Sequence, residues 1–166
     1  MKFTIFSTLA SILAVSSVAS AAGPYPKAPG LQYLYTVNIT GGEPALVGPG
    51  PRGFRISVPI VKGAFSGPKL KGTVLPIGGD WALIDNNGTV VQDVRQTFKT
   101  DDGAIIQVFE TGSTQPGRDG SEAWVRLTYE TGSEKYYWLN SVVAIGILRL
   151  VSNSDLTIDT WMMTAP

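Results

Sequence analysis

The stretch Val90–Glu110 reads VVQDVRQTFKTDDGAIIQVFE and decides the fold class. It holds two runs rich in β-branched and aromatic residues, Val90–Lys99 and Ala104–Glu110, separated by Asp101-Asp102-Gly103. Such runs bounded by Asp and Gly are typical of two strands joined by a tight turn. Neither run shows the apolar i, i+3, i+4, i+7 spacing of a helix. The stretch therefore predicts an antiparallel β-hairpin.

Similar runs recur along the chain between clusters of Gly, Pro, Asn and Asp, and Thr111–Glu122 reads as a polar loop. We predict further strands at Leu31–Ile39, Arg55–Val61, Lys69–Leu75, Trp81–Ile84, Ala123–Glu130, Tyr136–Ile147 and Leu156–Met163. Eight or nine short strands at near-regular spacing indicate a sandwich or a barrel. Closing a sheet hides its edges, so we predict an all-β fold with a single antiparallel β-barrel and a central cavity.

The N-terminus has the pattern of a secretory signal peptide. Lys2 is followed by an apolar stretch from Phe3 to Val18, and then by the small-x-small sequence Ala19-Ser20-Ala21. This predicts that residues 1–21 are cleaved and that the protein is secreted. Residues 22–30 contain three prolines and read as an extended leader. Residues 31–166 then form the barrel domain.

Composition excludes several kinds of chemistry. The chain has no Cys and no His, so it lacks a Ser-His-Asp triad, a cysteine nucleophile and the usual zinc or copper ligands. Lys and Arg number 13 against 13 Asp and Glu, and the basic residues are scattered. We therefore expect no nucleic acid or membrane partner, no cofactor and no metal. The partner predicted is a small molecule, and the sequence also leaves room for a homo-oligomer.

Charged and aromatic residues share strand faces, which suggests a wet interior. One face of Val90–Lys99 carries Asp93 and Arg95, and one face of Ala123–Glu130 carries Trp124 and Glu130. Such faces suit a barrel wide enough for a ligand, although a solvated outer face gives the same pattern. Arg95 and Glu130 are the first catalytic candidates, because a guanidinium and a carboxylate in one cavity could grip an enol or a phenol. The alternative is a structural ion pair.

Several short motifs resemble the domain of unknown function 3237 family, found in bacteria and fungi. The stretches that carry the resemblance are Gly53-Phe54-Arg55, Gly63–Gly72, Gly78–Trp81, Asp93-Val94-Arg95, Thr100–Ile106, Tyr129–Gly132 and Tyr137–Asn140. The resemblance implies a lipocalin-like or cyclase-like β-barrel with a central cavity and no established activity. The chain departs from the family pattern by running directly from Gly79 to Asp80, where the family usually has an intervening residue.

Other residues are candidates for the lining of the cavity. Asp80 follows two glycines and is the third catalytic candidate, with Trp81 beside it as an aromatic wall, although a turn aspartate and a core tryptophan fit equally well. The remaining ligand-binding candidates are Trp124, Trp138, Asn140 and Arg55. Trp138 and Asn140 are two positions apart, so they would share one face of a strand.

Two Asn-X-Thr sequons are present, at Asn38 and Asn87. In a secreted eukaryotic chain both would be glycosylation acceptors, and Asn87 is the more accessible of the two because it lies at a turn.

The sequence leaves three functions open. The favoured one is a secreted barrel that binds an apolar or phenolic metabolite. The second is a cofactor-independent cyclase, isomerase or lyase of a secondary-metabolite pathway, and the third is a structural cell-surface protein. A cavity of several hundred Å³ would favour the first two over the third.

Overall fold

A computed structural model of the chain describes residues 25–117 and 120–166. The predicted signal peptide, residues 1–21, lies outside the described residues, as do residues 22–24 of the leader. These described residues form eleven strands: β1 Gly30–Gly41, β2 Ala45–Gly50, β3 Gly53–Ser66, β4 Lys71–Val74, β5 Gly79–Asp80, β6 Leu83–Ile84, β7 Val90–Thr100, β8 Ile105–Thr114, β9 Glu122–Glu130, β10 Ala144–Leu150 and β11 Asp155–Thr164.

The strands close into an antiparallel eight-stranded barrel, as predicted. Hydrogen-bonded neighbours run in the order β1-β11-β10-β9-β8-β7-β4-β3, and β3 pairs with β1 to complete the ring. The short strands β5 and β6 occupy the same position as β4, between β3 and β7. Strand β2 forms a hairpin on the first half of β3. Within the described residues, no helix is long and apolar enough to cross a membrane.

The prediction of one strand over Tyr136–Ile147 is wrong. A 3-10 helix spans Glu134–Ser141, and only the segment from Ala144 onward pairs as β10. Aromatic residues raised the local strand propensity, but Tyr136 and Leu139 are buried against the core instead. Tertiary packing decided the conformation of this segment. The helix covers one end of the barrel, which we call the capped end.

Aromatic side chains fill the interior toward the capped end. The rings of Phe65 and Phe98 stack with centroids 4.2 Å apart, and Tyr35 meets Phe98 edge-on at 5.5 Å. The backbones of β4 and β7 approach closely at Gly72, where an added Cβ would lie 2.1 Å from the Lys99 carbonyl oxygen. A residue with a side chain at this position would push β4 away from β7.

Candidate functional site

Two carboxyl groups face the barrel interior from strands on either side of β7. Asp80 on β5 pairs with Val94 on β7, and Val94 pairs in turn with Glu110 on β8. Directly paired residues lie on the same face of a sheet, and Val94 and Glu110 are both buried. Strand spacing places the Cα atoms of Asp80 and Glu110 about 10 Å apart. Both side chains line one cavity.

Glu110 is a fully buried carboxyl group with one hydrogen-bond partner. Its exposure is 0%, and the Gln96 side-chain Nε2 donates to its Oε2 at 2.9 Å. Its other oxygen, Oε1, has no partner among the described residues. Burial, with the charge of Asp80 as a second cause, raises the pKa of Glu110 to about 8, and the Gln96 hydrogen bond opposes this rise. Glu110 is therefore mainly protonated at neutral pH.

Asp80 is the more acidic member of the pair. The backbone N–H of Asp93 donates to its Oδ1 at 3.0 Å, which favours the charged form. Burial raises the pKa of Asp80 to about 6, because its desolvation outweighs this hydrogen bond. The side chain is only partly buried, so this part of the cavity reaches solvent. Asp80 is mainly ionised at neutral pH, whereas Glu110 is not.

The cavity between these groups is small and otherwise apolar. Its volume is about 40 Å³, and it is lined mainly by Ile39, Ile60, Leu148, Leu156 and Ile158. That is room for a few water molecules or for the reacting end of a larger ligand. The cavity is therefore much smaller than the ligand-sized one expected from the sequence, and its volume alone would favour a structural protein over a binding protein or an enzyme. Among the described residues that line this cavity none is Lys or Arg, so it offers no positive charge to an anion and suits a neutral molecule.

Half-buried apolar side chains continue the inner face away from the capped end. Phe54 pairs with Ile84, and Ile84 pairs with Val90. Val90 is four residues before the inward-facing Val94 on the same strand, so it lies on the same, inner face. All three of Phe54, Ile84 and Val90 are partly exposed. A ligand larger than the small cavity would contact Phe54, Ile84 and Val90.

Arg95 and Glu130 lie on the outer face, so their predicted shared placement inside the barrel is wrong. Arg95 is exposed, and its Nη1 lies 2.8 Å from Asp93 Oδ1. Glu130 is exposed on β9, where Leu127 and Tyr129 take the inward positions. On both β7 and β9 the inner face is the one with more apolar residues, so the two charged side chains point outward.

Three of the ligand-binding candidates also lie outside the cavity. Trp81 is 40% exposed, and the Arg95 guanidinium lies 5.6 Å from its ring centroid. Arg55 donates from Nη1 to the Trp81 backbone carbonyl at 2.7 Å. Trp124 is 54% exposed, and its Nε1 donates to Glu122 Oε1. Arg55, Trp81 and Arg95 thus form a cluster on the outer wall.

Trp138 and Asn140 belong to the 3-10 helix and have structural contacts. Trp138 packs partly buried against the core, with Lys69 Nζ 5.2 Å from its ring centroid. The side-chain amide of Asn140 accepts from the Thr131 backbone N–H at 2.8 Å and donates to the Thr131 carbonyl at 2.9 Å. Asn140 and Glu130 line a broad surface depression of about 830 Å³, well away from the buried carboxyl pair.

Asp80 is thus the one sequence candidate that reaches the interior, and Glu110 was missed. A signal for Glu110 was present in β8, where Ile106, Val108 and Glu110 alternate onto one face. A lone acid on an otherwise apolar face is unusual unless it is paired or functional. Among residues 25–117 and 120–166, no three Asp or Glu side chains are grouped so as to hold a metal ion.

The fold and this carboxyl pair define a closed β-barrel with two carboxyl groups on one interior cavity. The chain belongs to a family of proteins of unknown function, DUF3237, whose model matches residues 29–163. This confirms the resemblance found in the sequence motifs.

Comparison with known proteins gives both fungal and bacterial relatives. The hydroalkoxylation enzyme phnH of Penicillium herquei is 31% identical over 148 residues, covering 88% of this chain and 89% of that protein. The PR-toxin biosynthesis cluster protein 7 of Penicillium roqueforti is 30% identical, covering 75% and 73%. A β-barrel-like protein from Acinetobacter baumannii has a similar structure, with a TM-score of 0.78 at 27% identity, covering 85% and 99%.

Proposed function

We propose that this protein is a cofactor-independent enzyme that adds a hydroxyl group across a carbon–carbon double bond within one neutral metabolite. The observation that carries the proposal is the pair Asp80 and Glu110, two carboxyl groups in one cavity whose pKa values are about 6 and about 8. Groups whose environments separate their pKa values in this way are suited to opposite roles, one as base and one as acid. The similarity to a fungal hydroalkoxylation enzyme supports this reaction type.

The reaction assigns one proton transfer to each carboxyl group. Glu110 gives its proton to one alkene carbon, so a C–H bond forms and positive charge develops on the other carbon. The hydroxyl oxygen of the substrate bonds to that second carbon, and Asp80 takes the hydroxyl proton. No atom is lost or gained by the substrate. The Asp80 carboxylate stabilises the positive charge while it develops, before it takes the hydroxyl proton. Proton exchange between the two carboxyl groups or through solvent then restores protonated Glu110 and ionised Asp80.

A probe for this reaction is ortho-prenylphenol, a neutral phenol whose alkene gives a tertiary cation when protonated. Conversion to the cyclic ether is followed by liquid chromatography, since the mass does not change. In D₂O the product should gain one carbon-bound deuterium, because the proton donated by Glu110 exchanges with solvent. A binding protein, the function that the sequence favoured, would retain the phenol without cyclising it. Unchanged phenol after incubation with the full chain would contradict an enzymatic role.

The pH dependence of kcat/KM is expected to be bell-shaped. Asp80 must be ionised, so activity falls as the pH drops below about 6, and Glu110 must be protonated, so activity falls as the pH rises above about 8. Asp80→Asn should remove the acidic limb and lower kcat/KM by about 10²–10⁴-fold. Asp101→Asn, in the exposed turn after β7, is the matched control and should keep both limbs. A flat profile would exclude the assigned roles.

We also propose that residues 1–21 direct export and that a eukaryotic host glycosylates Asn87 in preference to Asn38. Asn87 is exposed in the turn before β7. Asn38 lies within β1, where its Oδ1 accepts a hydrogen bond from Thr157 Oγ1 at 2.7 Å. Peptide mass spectrometry of the secreted chain, before and after enzymatic deglycosylation, should find the glycan at Asn87. A glycan found on Asn38 and not on Asn87 would contradict this preference.

A further inference from the structure

Gln96 contacts Glu110 from inside the barrel wall. It lies on β7 two residues after Val94, which is the direct partner of Glu110, so its side chain approaches Glu110 diagonally across the strand pair. Its exposure is 0%. Its Nε2 donates to Glu110 Oε2 at 2.9 Å, and Glu110 Oε1 has no partner among the described residues. The two oxygens of this carboxyl group therefore have different surroundings.

This asymmetry determines where the proton of the acid lies. An amide N–H can only donate, so the Oε2 atom that receives it must act as an acceptor, which is the role of the carbonyl oxygen of a carboxylic acid. The acidic proton then belongs on Oε1. No protein group in the described residues accepts it there, so it remains available for transfer.

We propose that Gln96 is a positioning residue that holds the transferable proton of Glu110 on Oε1. The inference rests on the proposed function, in which Glu110 is the general acid, but the hydrogen bond itself can be tested without any substrate. An amide turned the other way would place Gln96 Oε1 against Glu110 and accept the proton itself. In that orientation Gln96 would hold the proton back instead of presenting it.

The two orientations predict opposite changes when the amide is removed. A donating Gln96 favours ionised Glu110, so its loss should raise the pKa of Glu110 further. An accepting Gln96 favours the protonated acid, so its loss should lower this pKa. The sign of the change therefore reports the direction of the hydrogen bond.

The experiment is a carboxyl ¹³C NMR titration of the full chain, with the Glu110 resonance assigned by its absence from Glu110→Gln. In Gln96→Leu the pKa of Glu110 should rise by about one unit. Gln96→Met, which keeps the chain length and loses the donor, should give the same shift if the Leu variant does not fold. Gln107→Leu is the matched control, because Gln107 faces outward on β8 and its side chain hydrogen-bonds to the Gln96 backbone carbonyl and to Thr97, not to Glu110. This control should leave the pKa unchanged.

The same variants give an independent kinetic readout. The alkaline limb of kcat/KM for ortho-prenylphenol should move upward in Gln96→Leu by the same amount as the NMR pKa, whereas a structural role would lower kcat/KM at every pH without moving the limb. A lowered or unchanged pKa of Glu110 in both Gln96 variants would overturn the positioning role. An upward NMR shift in a protein that never cyclises the phenol would support the hydrogen bond and contradict the proposed function instead.

Discussion

Glu110→Gln is expected to abolish cyclisation of ortho-prenylphenol and to make the folded protein more stable at neutral and alkaline pH. Gln has nearly the same shape as the protonated acid, so the packing around this buried position is kept. It has no acidic proton to give to an alkene, so general acid catalysis is lost. The variant would therefore separate the cost of the buried acid for folding from its use in catalysis.

The sign of the stability effect follows from the pKa of Glu110. The folded-state pKa of about 8 lies above the unfolded value, so folding takes up a proton between these two pH values. The penalty is absent below the unfolded-state pKa of 4.5, grows by about 1.4 kcal/mol for each pH unit above that, and stops growing above about pH 8. At neutral pH the variant should gain about 3 kcal/mol in the free energy of unfolding.

Urea unfolding at about pH 4 and about pH 8 tests this prediction, with turnover measured in parallel. Glu130→Gln is the matched control, because Glu130 is exposed on the outer face of β9. It should leave turnover unchanged and should change the free energy of unfolding by no more than about 0.5 kcal/mol. Equal stability of wild type and Glu110→Gln at the higher pH would show that the buried carboxyl group carries no such penalty.

Phe98→Ala is expected to cause the largest loss of stability among single core substitutions. Phe98 is 0% exposed, stacks on Phe65 at 4.2 Å and meets Tyr35 edge-on at 5.5 Å. Its truncation removes buried apolar area and leaves a cavity among rings that cannot collapse freely, at a cost of about 3–5 kcal/mol. The total free energy of unfolding of a small domain is about 5–15 kcal/mol, so the variant would be marginally stable.

Phe109→Ala provides the comparison for this loss. Phe109 lies on the outward face of β8 opposite Arg95 and is only partly buried, so its truncation should cost less than half as much. Chemical unfolding of both variants at the same pH measures the difference. Similar losses for the two would mean that the ring cluster toward the capped end does not dominate the core.

The barrel could be predicted from the sequence because turn residues and β-branched runs are local signals. Which face of β7 points inward could not be predicted, because both faces carry polar residues. Asp93 and Arg95 lie on one face, and Gln92 and Gln96 lie on the other. Charge on the first face was mistaken for a functional interior. Its partner β8 resolves the orientation, because Ile106 and Val108 place Glu110 on the buried side.

Asp80 could be predicted as a candidate, but its partner could not. The glycine pair before Asp80 marked an unusual backbone position, which the structure places between β3 and β7. Asp80 and Glu110 are 30 positions apart in the chain. They face the same cavity because their strands both pair with β7. A single sequence contains no direct signal for that pairing. The size of the cavity is likewise a result of side-chain packing and not of strand pattern.

The 3-10 helix Glu134–Ser141 has a kinetic consequence for the proposed enzyme. Because Tyr136 and Leu139 close one end of the barrel, reactant and product must pass through the same opening at the other end. Each finished ether has to leave before another phenol can enter. Release of product and entry of reactant are therefore sequential, and slow release would limit kcat even when the chemical step itself is fast.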